Sequence, residues 1–271
     1  MTRLACCIFV VTFLLSYAFA QDQPGGLHTV ACIKLQPGKQ LEFREFAAHD
    51  IQKVMRAGAD TGDFSAWYLL RSVFPVGAGA RCDYLSVVVH KGTPPDPLVP
   101  ERLEAAIRKS GIAMTTAEYL AKRSSLTTLV SSEMWRTAIQ IAAPEKGDFL
   151  YVNSMKVHNM NEWMDMERRV WKPMAEAWVK DGTMRSWMVN RPVLPSGTDL
   201  KYQAITVDVY SSWDTALKSR SVSDTFKKIH PTRNQETTFE AINKSRDLAL
   251  RELLYVQDKV VAAGAPTISQ N

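Results

Sequence analysis

WYLLRSVFPVG at 67–77 and WMVNRPVLPSG at 187–197 share five of eleven positions at a constant offset of 120: Trp67/Trp187, Arg71/Arg191, Val73/Val193, Pro75/Pro195 and Gly77/Gly197. The match extends outward in both directions. Downstream, TTAEYLAK from Thr115 aligns with TTFEAINK from Thr237; upstream, VACIKL from Val30 aligns with VNSMKV from Val152. Three blocks in the same order at nearly one offset imply an internal duplication. We place repeat 1 at 27–142 and repeat 2 at 148–262.

Each copy reads alike. HTVACIKLQ and FLYVNSMKVH are short β-rich runs with alternation, hence strands. LEFREFAAHDIQKVMRAG and NEWMDMERRVWKPMAEAWVKDG carry apolar residues at helical spacing. In the second, Asn159 or Asn161 is the expected N-cap, Gly182 the stop, and Pro173 the cause of a kink. An aromatic strand follows, then a hairpin turn at Pro75–Gly79 or Pro195–Gly197, a strongly apolar strand, a long helical stretch and a last strand. The order β-α-β-β-α-β is the ferredoxin-like unit. Its sheet has one bare face, and two such sheets packed face to face close a pseudo-dimeric α/β barrel. The fold class is therefore α+β, two tandem ferredoxin-like repeats packed sheet to sheet.

At 271 residues, 46% hydrophobic and 23% charged, the chain has globular composition. Its charge of +5 is spread through mixed segments such as ERLEAAIRK and MERRVWK, without a basic block. That leaves no footprint for nucleic acid. The first twenty residues read as a signal peptide: Arg3, an apolar run from Leu4 to Leu15, then Ala18-Phe19-Ala20 as a cleavage site. The expectation is export to the periplasm or medium, with no membrane attachment after cleavage and a flexible tail at 263–271. Cys32 and Cys82 are read as buried small hydrophobes, each early in its strand and so near opposite ends if the strands run antiparallel, which disfavours a bridge without excluding it.

The repeat pattern resembles the dimeric α/β-barrel superfamily, which includes antibiotic-biosynthesis monooxygenases, EthD-like proteins, NIPSNAP-like proteins and chlorite dismutases. The segment ERRVWKPMAEAWVKDGTMRSWMVNRPVLPSGT at 167–198 also resembles a recurring segment of uncharacterised secreted bacterial proteins. The resemblance implies the fold; no catalytic motif of the superfamily can be matched residue by residue.

Candidate site residues come from strand alternation. In the first strands, Ile33, Leu35, Met155 and Val157 are assigned to the helix side, and Cys32, Lys34, Ser154 and Lys156 to the barrel interior. Leu85, Val87, Val89, Ile205, Val207 and Val209 are assigned to the helix side, leaving Tyr84, Ser86 and His90, with Tyr202, Thr206 and Asp208, inside. Trp67, Arg71, Trp187 and Arg191 are assigned inward. The expected ligand site is thus Lys34, Trp67, Arg71, Tyr84, His90, Lys156, Trp187, Arg191, Tyr202 and Asp208. Buried cations need partners, so the lining calls for internal carboxylates or an anionic ligand, or else the cations lie at strand ends in solvent.

No metal or cofactor is expected. His28, His49, His90, His158 and His230 show no ligand spacing, and GAGARC at 77–82 is a turn without a following helix. Trp163, Trp171 and Trp178 share a helical face, read as an inter-helix seam or an aromatic binding surface. Three functions follow. One is a secreted protein holding a small anionic or aromatic molecule. The second is a cofactor-poor oxygenase- or isomerase-like enzyme using Tyr84 or Tyr202. The third is an interaction module that homo-oligomerises through the Trp-rich helix.

Overall fold

The structure is a computed structural model, and it describes residues 26–95 and 100–264. The expected signal peptide and most of the expected flexible tail lie outside the described residues. Eight antiparallel strands close a barrel in the order β1-β3-β2-β8-β5-β7-β6-β4. Repeat 1 contributes β1 (Leu27–Leu35), β2 (Ala66–Phe74), β3 (Tyr84–Val89) and β4 (Thr127–Gln140). Repeat 2 contributes β5 (Phe149–Val157), β6 (Ser186–Leu194), β7 (Ala204–Tyr210) and β8 (Arg246–Val261). The long β4 and β8 join the halves, β4 pairing with β6 and β8 with β2.

Helices cover the outside. Between β1 and β2 run α1 (Gln40–Phe46), a π-helical turn (Ala47–Ile51) and α2 (Gln52–Thr61). Their equivalents between β5 and β6 are α5 (Met160–Met166), a π turn (Glu167–Trp171) and α6 (Lys172–Lys180). The remaining helices are α3 (Glu101–Ser110) and α4 (Thr116–Leu126) before β4. Before β8 come α7 (Trp213–Leu217), α8 (Val222–Ile229) and α9 (Gln235–Ser245). Asn159 is the N-cap of α5, its side chain accepting from the Asn161 and Glu162 amides. The helix ends just before Gly182, whose φ of +79° suits glycine. Pro173 is not what disturbs this helix, because the same π turn stands in repeat 1 without a proline.

The halves match in detail. β1 and β4 slip register between Cys32 and Ile33; β5 and β8 slip at the equivalent Ser154 and Met155. Ladder positions therefore give residue-level equivalence between the copies: Ala31 with Asn153, Val88 with Asp208, Thr127 with Arg246, Ser132 with Arg251. Trp67/Trp187 and Arg71/Arg191 occupy equivalent positions on β2 and β6. Tyr84 and Tyr202 do not. Tyr84 corresponds to Ala204, and Tyr202 precedes β7 where repeat 1 has Cys82.

Three apolar clusters set the faces. Two lie between sheet and helices, one per repeat, around Phe43, Phe46, Trp67 and Tyr84 and around Trp163, Met174, Trp178 and Trp187. The third fills the barrel with Cys32, Tyr68, Leu70, Leu85, Leu150, Val152, Val207, Val209, Leu254 and Val256. The β1 and β5 face assignments hold: Ile33, Leu35, Met155 and Val157 pack against helices. The others are inverted. Leu85, Val87, Val89, Ile205, Val207 and Val209 line the barrel, and Trp67, Tyr84 and Trp187 face the helices. Both faces of this sheet are buried, so apolar alternation alone does not say which is which. The bulky Trp67, Tyr84 and Trp187 go outward under the helices, and valines and leucines from both halves fill the barrel.

Cys32 and Cys82 form a disulfide inside the barrel, with Cα atoms 5.3 Å apart. Cys32 is the sixth of nine residues in β1, so it lies toward the end that meets the start of β3, and Cys82 folds in just before Tyr84.

Candidate functional site

The expected residues do not converge. Lys34 pairs with Asp83 at 3.2 Å at a strand end. Lys156 is exposed, in a surface groove of about 430 Å³ with His158, Asp199 and Lys201. Arg71 and Arg191 are exposed, Arg71 lying 5.4 Å over the Tyr255 ring. Trp67 and Trp187 are core residues, and the Trp67 indole donates to Ser86 Oγ at 2.9 Å. Tyr84 packs on Phe43 at 4.8 Å between the ring centroids, and burial pushes its phenol up. His90 is buried beside Thr29, 3.3 Å away, and burial pushes its pKa down. Tyr202 sits at the barrel rim, stacked on Trp135 and taking a hydrogen bond from Arg81. Arg81 also pairs with the buried Glu252 at 3.2 Å. The barrel itself is lined by apolar side chains rather than cations. Of the ten expected residues, Asp208 alone lies in a dense polar cluster, and that cluster is outside the barrel.

It lies under the α5–α6 helix, on the helix face of β5, β7 and β8. Asn153 donates to Thr206 Oγ1 at 3.2 Å and to Asp208 at 3.5 Å. Its carbonyl oxygen accepts from Arg251 Nε at 2.6 Å. The guanidinium of Arg251 lies 5.7 Å over Tyr151, which meets Tyr210 edge to face. Asp208 pairs with Arg220 at 3.1 Å, and Arg220 donates to the Tyr210 hydroxyl at 2.7 Å while lying 4.3 Å over Trp178. Glu167 comes down from the π turn and is only 2% exposed. Burial raises its pKa to about 8, the nearby Asp208 adding to the effect and Arg246 and the Trp163 indole opposing it. At neutral pH this carboxyl mostly keeps its proton. Burial first, then Asp208, likewise push the Tyr210 phenol to about 12.

Repeat 1 has none of this. The counterparts of Asn153, Glu167, Thr206, Asp208, Arg246 and Arg251 are Ala31, Ala47, Ser86, Val88, Thr127 and Ser132. Trp163 replaces Phe43, and Trp178 replaces Gly58. One scaffold thus folds with an uncharged filling in one copy and a charged network in the other. Buried charges are costly unless fully paired, and the uncharged copy shows that the fold does not need them. Of these polar residues sequence reasoning singled out only Thr206 and Asp208, and it put both on the wrong face. The exchange of alanine and valine for carboxylates between aligned copies was the available signal.

Among the described residues no group of three His, Cys, Asp or Glu side chains could hold a metal ion, and no helix is long and apolar enough to cross a membrane. The three tryptophans of α5–α6 form an inter-helix seam: Trp163 and Trp178 are buried, and Trp171 packs on Trp178 and Phe239.

No family model matches the chain, and no curated protein matches it by sequence. Solved structures do match. A candidate monooxygenase from Fusobacterium nucleatum superposes with a TM-score of 0.57 at 12% identity, covering 90% of this chain and 97% of its own. The chain has the dimeric α/β-barrel fold. More distant matches include an anthrone oxidase-like protein (TM-score 0.47, 10% identity, 92% and 98% covered). A candidate chlorite dismutase also matches (0.44, 10%, 86% and 94%). At these identities the likeness concerns fold and carries no residue role.

Proposed function

We propose that the second half of the barrel binds a small molecule at the polar cluster under α5–α6, with Glu167 as its proton-handling group. The observation that carries this is the difference between the copies: four charged side chains and one amide stand where repeat 1 has only small uncharged residues. A protonated carboxyl with a pKa near the working pH is suited to giving and taking protons. This reading moves the site from the barrel interior to the helix face of repeat 2 and keeps both the binding and the enzyme-like alternatives alive. The fold shared with a candidate monooxygenase is compatible with the second.

We read the whole as two ferredoxin-like repeats of an exported protein of the NIPSNAP/EthD-like kind. The Cys32–Cys82 disulfide supports export, because such bonds persist in oxidising compartments. The test is native mass spectrometry of the protein purified from its own host, alongside the triple variant Asn153→Ala, Glu167→Ala, Asp208→Val, which installs the repeat 1 residues. The expected result is a copurifying small molecule on the wild type that is absent from a folded variant. Equal loading of both proteins would move the site elsewhere.

A further inference from the structure

Two buried donors in the cluster stand beside Glu167 without a well-formed acceptor. Trp163 is wholly buried, and its Nε1 faces the Glu167 carboxyl closely enough to act on it but reaches no partner at good hydrogen-bond geometry. Arg246 Nε is likewise buried without a partner, and its guanidinium is close enough to Glu167 to influence that carboxyl. Most buried donors in folded proteins are satisfied, so two orphans next to each other need a reason. A third donor is at hand in the proton of Glu167. Repeat 1 has Phe43, Ala47 and Thr127 at these positions, so the indole N–H, the carboxyl and the guanidinium are features of repeat 2 together. The wider charge balance has the same sign. Arg220 pairs with Asp208, Arg251 is bonded to Asn153 beside it, and Arg246 stands near a Glu167 that is largely uncharged at neutral pH; Asp247, on Arg246's other side, also meets His158 at 3.0 Å. His230 is held by the Val170 carbonyl at 3.1 Å.

Resting on the small-molecule reading above, we propose that Trp163 Nε1, Arg246 Nε and the buried Glu167 carboxyl together hold the carboxylate of a small organic acid. A planar two-oxygen acceptor can take donors from different side chains at once, and a charged acceptor makes the stronger hydrogen bonds. Counting Asp247, which acts on Arg246, with Asp208 against the three guanidinia leaves one excess positive charge, enough for a carboxylate and not for a dianion such as phosphate. Glu167 has to be neutral for this role. Ionising it puts a second carboxylate against the ligand and removes a donor. Affinity therefore falls as pH rises past about 8.

The experiment is calorimetric titration of the full mature chain with benzoate, its neutral isostere benzamide, and inorganic phosphate, between pH 6 and pH 10. The expected result is that benzoate binds, benzamide and phosphate do not, and the benzoate dissociation constant rises about tenfold per pH unit above 8. In Glu167→Gln, which keeps an N–H donor and cannot ionise, binding persists without that pH dependence. In Trp163→Phe and Arg246→Thr, the repeat 1 residues, it is lost. Should a truncated variant not fold, the Glu167→Gln pH profile decides alone. Binding of benzamide as tightly as benzoate, with the same dependence on Trp163, would overturn the carboxylate while leaving the site. Tighter binding of phosphate would assign it to inorganic anions instead. Benzoate affinity unaffected by all three variants would overturn the inference, and a copurifying neutral molecule would still support the site.

Discussion

Replacing Glu167 by glutamine should remove a slope from the pH dependence of stability. The carboxyl has a pKa of about 8 in the folded protein, against 4.5 in an unstructured chain, because burial disfavours its charged form. A pKa raised on folding means the native state binds the proton more tightly than the unfolded state. The resulting stability is fully present below pH 4.5 and is lost as pH rises to 8, at about 1.4 kcal/mol per pH unit. His28 complicates the acid side. Burial lowers it to about 4, so its contribution is present above 6.5 and lost as pH falls through 4. The clean window is therefore pH 6.5–8, where the Glu167 slope amounts to about 2 kcal/mol. For a chain of this size that is a melting-temperature change of roughly 4–8 °C. Urea denaturation of wild type and Glu167→Gln at half-unit steps reads it directly. The wild type should lose stability across the window and the glutamine variant should not, since every other titrating group cancels in the comparison. Two parallel curves would mean that Glu167 is ionised in the fold, and the protonated-acid chemistry assigned to it would fall.

Two further outcomes test the barrel. The double variant Cys32→Ser/Cys82→Ser opens a loop closed across 50 residues and should cost about 2–5 kcal/mol in non-reducing urea titrations; a midpoint equal to that of the oxidised wild type would show the bridge contributes nothing. Arg81→Met strands the Glu252 carboxylate at the barrel rim and should cost less than the roughly 3–5 kcal/mol of a fully buried pair, because Arg81 keeps a third of its side chain in water. Adding Glu252→Leu should recover most of that loss, whereas strictly additive effects would mean the two side chains do not interact.

The duplication was legible because it is written in residues that turns and strands cannot easily exchange. Pro75 and Pro195, with Gly77 and Gly197, anchor the hairpins; Trp67 and Trp187 anchor the sheet. Helix ends were legible for a similar reason, the Asn159 cap and Gly182 stop being local chemistry. What alternation could not supply was the identity of the faces. Once a sheet is buried on both sides, Leu85 and Tyr84 are both 4–6% exposed, and hydrophobicity ranks neither as inner or outer. The strand faces then depend on the relative widths of the gap under the helices and the barrel bore, which are set by all eight strands together. The inward placing of Trp67, Tyr84 and Trp187 failed on that point.

The site failed to appear for a different reason. Symmetric residues were sought, and Lys34/Lys156, Arg71/Arg191 and Trp67/Trp187 were found because both copies keep them. What both copies keep is what the shared scaffold uses: a rim ion pair at Lys34, a core indole at Trp67. In a duplicated fold the informative positions are those where the copies part. Once two units close one barrel, either helix gap can be filled by plain packing, as Ala31, Ala47 and Val88 do. The other is then free to carry groups that packing would reject. Asn153, Glu167 and Asp208 are such groups. They are held by Arg251, Arg246 and Arg220, at the cost of burying charge that the first copy avoids.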